Sequence, residues 1–383
     1  MTSRTPLIVL STGGTGGHIF PAQALAETLL TRGYRLELIT DRRGDAYNGP
    51  LEKINTHAIQ AAGVSGRGLI AKLVALGRLT AGYFQARKLL RALDPTVVVG
   101  FGGYATVPTL LAASHLGIKT AIHEQNAVLG RANRVLAPRA TRVATAFKTT
   151  TFLRNADRGK SVWTGNPVRP EIVDVRQTPL PTLNSESAIE LLIIGGSQGA
   201  SIFSTVVPAA LAALPDDLRR RLRVTQQCRT EDLAQVREDY AQAQITADLS
   251  SFFVDIPQRL MAAHMLICRA GASTMAELTT AGRPAILVPY PHAIDDHQTI
   301  NAARLCDSGG AWMMPDGDFT PETLSARLVS LFSMESTLAM AARCAAQIGM
   351  PEATERLADV VAGIIGTNGN GKNAPDPVQE AAA

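Results

Sequence analysis

With 383 residues, the chain is too long for a single hydrophobic core to be expected, and two domains are the natural division. Its net charge of +4 is too small to indicate a nucleic-acid-binding protein, although it suits an anionic substrate or an acidic membrane surface. The four cysteines are dispersed without metal-ligand spacing, which favours reduced thiols in the cytoplasm.

Neither a leader nor a membrane span is predicted. Residues 1–6 lead directly into an apolar run, so no secretory signal peptide is expected. No apolar run reaches the roughly 18 to 20 residues that cross a bilayer. We therefore expect a soluble chain, which can still lie on a membrane surface.

Strand-like and helix-like segments alternate through the first half of the chain. Strands are predicted at Leu7–Leu10, Leu36–Ile39, Val97–Val99, Thr120–His123 and Arg142–Ala146, and helices near 21–32, 68–93, 105–116 and 128–138. This alternation is typical of parallel βαβ units.

The pattern stops near Gly165 and then restarts. Residues 176–187, rich in Pro, Thr and Ser, are predicted to form a linker or an exposed loop. Strands follow near 190–194, 222–227, 249–253, 265–268 and 285–289, with helices between them and onward to about 365. Residues 366–383 have no periodicity and are predicted to be disordered. Each half therefore reads as a doubly wound α/β sheet.

Each half begins with an apolar strand, a glycine-rich turn and a helix. The first turn, Gly13–His18, follows Leu7–Leu10, and the second, Gly195–Ala200, follows Leu191–Ile194. Such a unit directs backbone N–H groups and a positive helix end towards one spot, where phosphate binds well. The sequence thus predicts two nucleotide-binding-type domains that face each other across a cleft.

A nicotinamide or flavin enzyme is the main competing interpretation. Its fingerprint needs glycines at relative positions 1, 3 and 6. Counted from Gly14, the first turn has Ile19 at position 6, and counted from Gly195, the second turn has Ser197 at position 3. Neither turn is followed by the Gly-Lys-Ser/Thr of a P-loop. Both interpretations are therefore disfavoured.

Further motifs carry a family resemblance. They are Gly13–His18, Gly100–Tyr104, His123–Asn126, Gly165–Arg169, Gly195–Ala200 and Cys268–Thr274. In this order, and over residues 7 to 360, the chain resembles the undecaprenyldiphospho-muramoylpentapeptide β-N-acetylglucosaminyltransferases of glycosyltransferase family 28. The resemblance implies the two-domain GT-B fold and transfer of N-acetylglucosamine from UDP-N-acetylglucosamine to the muramoyl 4-hydroxyl of lipid I, with inversion, to form lipid II.

The same resemblance implies how the domains share the work. Residues 1–166 would bind the acceptor and associate with the membrane, residues 167–349 would bind the donor, and a helix at about 350–365 would return to the first domain. The implied donor-binding residues are Thr15, Gly16, Gly17, Asn126, Arg169, Ser197, Phe253, Ala272, Ser273, Thr274, Met275, Ala276, Glu277 and Gln298.

Within this set, Phe253 would lie beside the uracil ring and Glu277 would accept hydrogen bonds from the ribose hydroxyls. Gln298 and Asn301 resemble a polar pair that binds the sugar hydroxyls. From the residues alone, Thr274–Glu277 also fits a helix capping box, which is a purely structural device.

Two residues are candidates for the general base. His18 ends the first glycine turn, where a helix N-terminus favours its neutral form, and Glu124 follows a strand end that points into the cleft. The implied acceptor-binding residues are Gly14, Gly102, Gly103 and Tyr104. No Asp-x-Asp motif stands at the end of a predicted strand, so no metal ion or other cofactor is expected in the catalytic step.

Residues 67–79 interleave leucines with cations, as a helix lying on anionic lipid requires. A core helix with a solvated basic edge is the alternative. The expected partners are UDP-N-acetylglucosamine, lipid I, an anionic membrane surface and proteins of cell-wall synthesis, with the chain peripheral at the cytoplasmic face of the cell membrane. A UDP-N-acetylglucosamine 2-epimerase, a transferase with a soluble acceptor and a non-catalytic nucleotide-sugar sensor stay open as alternatives.

Overall fold

The computed structural model describes residues 5–13, 16–41, 49–62, 69–196 and 199–366. Within its first part, strands and helices follow one another in the order β1 Leu7–Ser11, α1 Gly16–Thr31, β2 Arg35–Thr40, β3 Asn55–Ala58, α2 Leu69–Leu93, β4 Val97–Gly100, α3 Thr106–His115, β5 Lys119–Glu124, α4 Arg131–Leu136, β6 Arg142–Thr145 and β7 Ser161–Trp163. All the strands pair in parallel, in the spatial order β3-β2-β1-β4-β5-β6-β7.

The second part repeats this architecture. Its elements are α5 Pro170–Val175, β8 Ile189–Ile194, α6 Ser201–Ala212, α7 Asp216–Arg219, β9 Leu222–Gln227, α8 Leu233–Gln242, β10 Thr246–Ser250, α9 Ile256–Ala262, β11 Met265–Cys268, α10 Ala272–Ala281, β12 Ala285–Leu287, α11 His297–Asp307, β13 Ala311–Met313, α12 Pro321–Phe332, α13 Glu335–Ile348 and α14 Ala353–Gly366. The six strands β8–β13 form a parallel sheet in the order β10-β9-β8-β11-β12-β13.

The central strands are buried on both faces, which explains their continuous apolar sequences. Every residue of β1 and of β4 is buried, and Ile8 pairs with Leu36 on one side and Val97 on the other. Helices cover both faces of such a sheet, so no polar alternation is needed. The two doubly wound domains predicted from the sequence are confirmed.

The strand predicted near 249–253 has the wrong boundaries. The strand is Thr246–Ser250, an edge strand with partly exposed side chains, and the apolar pair Phe252 and Phe253 follows its end. The sequence also missed β3, β7 and β13, which are short and carry no buried apolar run comparable to β1.

The chain passes twice between the domains. It leaves the first sheet after β7 and enters α5, and after α13 it returns to α14, which packs against α1. Leu357, Val361 and Ile364 of α14 join the core cluster built around β1 and α1. The returning C-terminal helix implied by the family resemblance is confirmed. The predicted divisions after residues 166 and 349 fall within these two connections.

Candidate functional site

Two glycine turns of the first domain touch each other. The Gly13 N–H donates to the Gly102 carbonyl at 3.0 Å, and a Cβ on Gly103 would lie 2.5 Å from Gly13 Cα. Gly102 and Gly103 also have φ angles of +94° and +83°, which side-chain-bearing residues rarely adopt. Glycine is therefore required at this contact, which brings the end of β4 against the end of β1.

His18 lies over this pair of turns. Its ring packs so closely on Gly102 that a Cβ there would stand 2.9 Å from His18 Cε1. His18 Nδ1 is buried and has no hydrogen-bond partner among the described residues. Burial lowers the pKa of His18 below its ordinary value, and the charge of His297 adds to this effect against opposing hydrogen bonds. The lowered pKa favours the neutral imidazole, which is the form that can accept a proton.

Glu124, at the end of β5, is buried inside a closed hydrogen-bond network. Its Oε1 accepts from the backbone N–H of Asn126 at 3.0 Å and from the Asn126 side chain at 3.3 Å. Its Oε2 accepts from the Gly130 N–H and from Asn133 Nδ2, each at 2.8 Å. Burial raises the pKa of Glu124, while these donors oppose the rise. The carboxylate holds together the loop between β5 and α4.

A cavity of about 570 Å³ lies between the two domains. The first domain contributes the start of α1, and the second contributes the turn after β8 and the N-terminus of α10. We call it the donor cavity, because several residues predicted from the sequence to bind the donor line it. Its lining includes Gly16, Gly17, Phe20, Arg169, Gly195, Gly196, Phe252, Phe253, Arg269, Ser273, Thr274, Glu277, Tyr290 and Gln298. The N-termini of α1 and α10 border it, and helix N-termini favour anionic ligands.

Helix α10 presents one face to this cavity. It begins at Ala272, with Gly271 as N-cap and no side-chain cap, so the predicted capping box is wrong. Ser273 Oγ is buried and has no partner among the described residues, which leaves it available to a ligand. Met275 and Ala276 do not line the donor cavity and lie on the opposite face of the helix. Ala272 borders both faces.

An ion pair stands at the wall of the donor cavity. Arg169 Nη2 donates to Glu277 Oε1 at 3.0 Å, and the Arg169 guanidinium lies 5.3 Å from the centre of the Phe20 ring. Burial raises the pKa of Glu277, although the charge of Arg169 acts in the opposite direction. Since Phe20 belongs to the first domain and Glu277 to the second, Arg169 contacts both.

Aromatic side chains form another part of this wall. Phe253 is 7% exposed and packs beneath the Arg259 guanidinium, 3.9 Å from the ring centre, whereas the neighbouring Phe252 is 65% exposed. Sequence reasoning named Phe253 but missed Phe20, Phe252 and Tyr290. The only available signals were the position of Phe20 two residues beyond His18 and of Phe252 beside Phe253.

Gln298 and Asn301, the polar pair of α11, lie in different surroundings. Gln298 lines the donor cavity, and its Oε1 accepts from the N–H groups of Ala270 and Tyr290. Asn301 is fully buried: its Oδ1 accepts from the Ala127 N–H at 2.9 Å, and its Nδ2 donates to Asn126 Oδ1 at 3.1 Å. Asn126 and Asn301 therefore join the two domains in this structure, away from the donor cavity lining.

Some predicted site residues lie elsewhere. Gly14, Thr15 and Ser197 are outside the described residues. Tyr104 is 40% exposed beside the contact of Gly13 with Gly103. Within the described ranges, no three His, Cys, Asp or Glu side chains come together as a metal-binding group. Asp295, in the acidic pair before α11, instead accepts hydrogen bonds from Arg131 and Arg134 of the first domain.

Comparison with known families gives two matches. The glycosyltransferase family 28 N-terminal domain matches residues 8–145, and the glycosyltransferase family 28 C-terminal domain matches residues 190–357. Together they cover most of the described chain.

Two curated relatives carry the name UDP-N-acetylglucosamine--N-acetylmuramyl-(pentapeptide) pyrophosphoryl-undecaprenol N-acetylglucosamine transferase. The protein of Paramagnetospirillum magneticum is 54% identical over 95% of this chain and 98% of its own length. That of Rhodospirillum centenum is 51% identical over 98% of each chain.

Solved structures show the same architecture. The crystal structure of Acinetobacter baumannii MurG aligns with a TM-score of 0.75 at 31% identity, covering 94% of this chain and 99% of that one. A UDP-N-acetylglucosamine 2-epimerase aligns with a TM-score of 0.66 at 12% identity, covering 97% of this chain and 99% of that one. At that identity, the likeness to the epimerase shows the fold alone.

Proposed function

Because this chain belongs to glycosyltransferase family 28, we propose that it transfers N-acetylglucosamine from UDP-N-acetylglucosamine to the 4-hydroxyl of the muramoyl unit of lipid I, forming lipid II. The observation that carries the proposal is the donor cavity, which is walled by both domains and is lined by Gly16 and Gly17 of the first glycine turn. A sugar nucleotide held by the second domain would there face an acceptor held by the first.

The donor side offers positive potential for the diphosphate of UDP-N-acetylglucosamine. The N-terminus of α10, the unpartnered Ser273 Oγ and the Arg169 guanidinium all border the donor cavity. Glu277 would accept hydrogen bonds from the ribose hydroxyls, and Phe252 or Phe253 would contact the uracil ring. Gln298 would use its free amide group on the sugar, since its Oε1 already accepts two backbone N–H groups.

The proposed reaction is a single displacement. The muramoyl O4 attacks the anomeric carbon, the bond from that carbon to the β-phosphate oxygen breaks with its electron pair, and UDP leaves as the anomeric configuration inverts. The positive groups around the diphosphate stabilise the departing charge. Because these groups are side chains and backbone amides, we expect EDTA to leave turnover unchanged; loss of turnover that Mg²⁺ restores would contradict this.

We assign the proton of the attacking hydroxyl to His18. Burial favours its neutral form, the ring lies over the paired glycine turns, and Nδ1 has no partner among the described residues. Glu124 is the weaker candidate because both of its oxygens already accept two hydrogen bonds. Gly102, Gly103 and Tyr104 are proposed to bind the acceptor diphosphate through the same contact.

The acceptor implies a membrane surface, and α2 is the proposed contact. Leu73, Val74 and Leu76 are 67%, 50% and 59% exposed, and the exposed cations Lys72 and Arg78 flank them. Such a surface suits the headgroup region of an anionic bilayer. No helix in the described part of the chain is long and apolar enough to span a membrane. We therefore propose peripheral association with the cytoplasmic face, where proteins of cell-wall synthesis would be neighbours.

One assay tests the reaction. The purified protein is incubated with radiolabelled UDP-N-acetylglucosamine and a lipid I analogue, and the lipid fraction is examined by mass spectrometry. We expect a lipid-linked disaccharide and stoichiometric UDP. Formation of the C2 epimer of the sugar nucleotide, with no lipid product, would instead identify an epimerase.

A further inference from the structure

A second cavity lies on the other face of α10. It has a volume of about 340 Å³ and borders both connections between the domains, at Gly165 and Asn166 and at Met350. Met275, Ala276 and Thr279 of α10 line it, whereas Ser273, Thr274 and Glu277 line the donor cavity. We call it the hinge cavity. Apart from Ala272, the two cavities share no lining residue, so the helix separates them.

The lining of the hinge cavity is apolar with two positive charges. Trp163, Leu305 and Met350 supply apolar surface, and Lys148 and Arg304 supply the charges. No Asp or Glu lines the cavity. Neither cation forms an ion pair within the described part of the chain, where many other arginines do. Two cationic side chains beside apolar surface favour an anion that also has an apolar body.

A buried amide in the same lining lacks one partner. Asn166 is 6% exposed, and its Nδ2 donates to the Ala272 carbonyl at 3.3 Å. Its Oδ1 has no hydrogen-bond partner among the residues described. Buried polar atoms are rarely left unpaired, and those that are often mark a place for a ligand or water. A hydrogen-bond donor on the ligand would satisfy this oxygen.

From these three observations we propose that the hinge cavity is a binding site for a small amphipathic anion. Its carboxylate, sulfonate or phosphate group would pair with Lys148 and Arg304, its apolar body would pack on Trp163 and Met350, and a donor would reach Asn166. The site is separate from the donor cavity and does not depend on the reaction proposed above; only its test uses the proposed binding of UDP, to block the donor cavity.

The probe is 8-anilinonaphthalene-1-sulfonate, which combines a sulfonate, two aromatic groups and an N–H donor and becomes fluorescent when bound. The full-length protein is titrated with it in the presence of saturating UDP, which blocks the donor cavity. We expect a saturable fraction of the probe to stay bound. Lys148→Glu and Arg304→Glu should each weaken that binding about tenfold, the loss of one charge-assisted contact.

Arg327→Glu is the matched control, because Arg327 on α12 is also an exposed arginine and does not line the hinge cavity. It should leave the affinity for the probe unchanged. All three replaced side chains are exposed, so thermal melts should coincide and exclude misfolding. Complete displacement of the probe by UDP, or equal affinity in all three variants, would overturn the proposal.

Discussion

His18 and Glu124 differ in the hydrogen bonds that their side-chain polar atoms form. Four donors surround the Glu124 carboxylate, whereas Nδ1 of His18 has no partner among the described residues. A general base needs an acceptor atom that is free to take a proton. The sequence makes both residues candidates, and these hydrogen bonds are why we propose His18 rather than Glu124 as the base.

Replacing His18 by Gln should lower kcat by about 10²- to 10⁴-fold, the usual contribution of a general base, with little change in UDP affinity. Glu124→Gln should act mainly on stability, by about 1–3 kcal/mol, because its new NH₂ group faces a buried N–H donor. Steady-state kinetics, calorimetric titration with UDP and urea unfolding separate the two effects. Near-normal turnover of the His18 variant would remove it as the base.

His123 should make the stability pH-dependent. It is fully buried, its Nε2 lies 3.0 Å from the Gly165 carbonyl, and burial lowers its pKa to about 4. Below pH 6.5 the unfolded chain binds a proton that the native His123 does not, so stability present at pH 7 is lost as the pH falls towards 4. The loss approaches about 3 kcal/mol.

Urea unfolding between pH 7.5 and 4.5 measures this loss. His123→Gln keeps a donor for the Gly165 carbonyl but cannot titrate, so its stability should fall less over the same range. An identical pH dependence in both proteins would contradict the assignment to His123.

The elements that were predicted correctly are those whose burial is visible in the local sequence. The runs Leu7–Leu10 and Leu191–Ile194 are continuous and apolar because they lie in sheet centres, with helices on both faces. Edge strands such as β3 have only one neighbouring strand and mostly exposed side chains. Their sequences therefore contain no apolar run from which they could be predicted. The contacts of Asn301 could not be predicted for a related reason: its partners Asn126 and Ala127 come from the other domain, which no local pattern reveals.

Helix α2 gives a prediction at the same scale. The double substitution Leu73→Asp and Leu76→Asp should reduce binding to vesicles that contain anionic lipid by about tenfold or more, because exposed apolar surface is replaced by negative charge. Stability should hardly change, since both side chains are already exposed. Met340→Asp, on the exposed face of α13, is the control in co-sedimentation. Equal binding of wild type and double variant would contradict membrane contact through α2.

At the scale of the whole molecule, the two domains are held together by more than their connections. Asn301 bonds across the interface to Ala127, and Asp295 accepts from Arg131 and Arg134 of the first domain. The donor cavity thus lies between bodies that are linked on several sides. Closure over a ligand would have to preserve or exchange these contacts.

Leu357 tests the role of α14 in this assembly. The side chain is fully buried in the core around β1, so Leu357→Ala should destabilise the first domain by about 2–5 kcal/mol through the cavity it leaves. Arg356→Ala, one residue away and exposed, should cost far less. Differential scanning calorimetry of the two variants provides the comparison. Equal melting temperatures would show that α14 contributes little to that core.

The return of α14 has a consequence for the order of events on the ribosome. The nascent chain emerges from its N-terminus, so β1 and α1 are exposed long before Leu357, Val361 and Ile364 have been synthesised. The second domain can complete its sheet during translation, but the first must wait with part of its core uncovered. The domain made first is therefore the one finished last, and chaperones would meet its open surface.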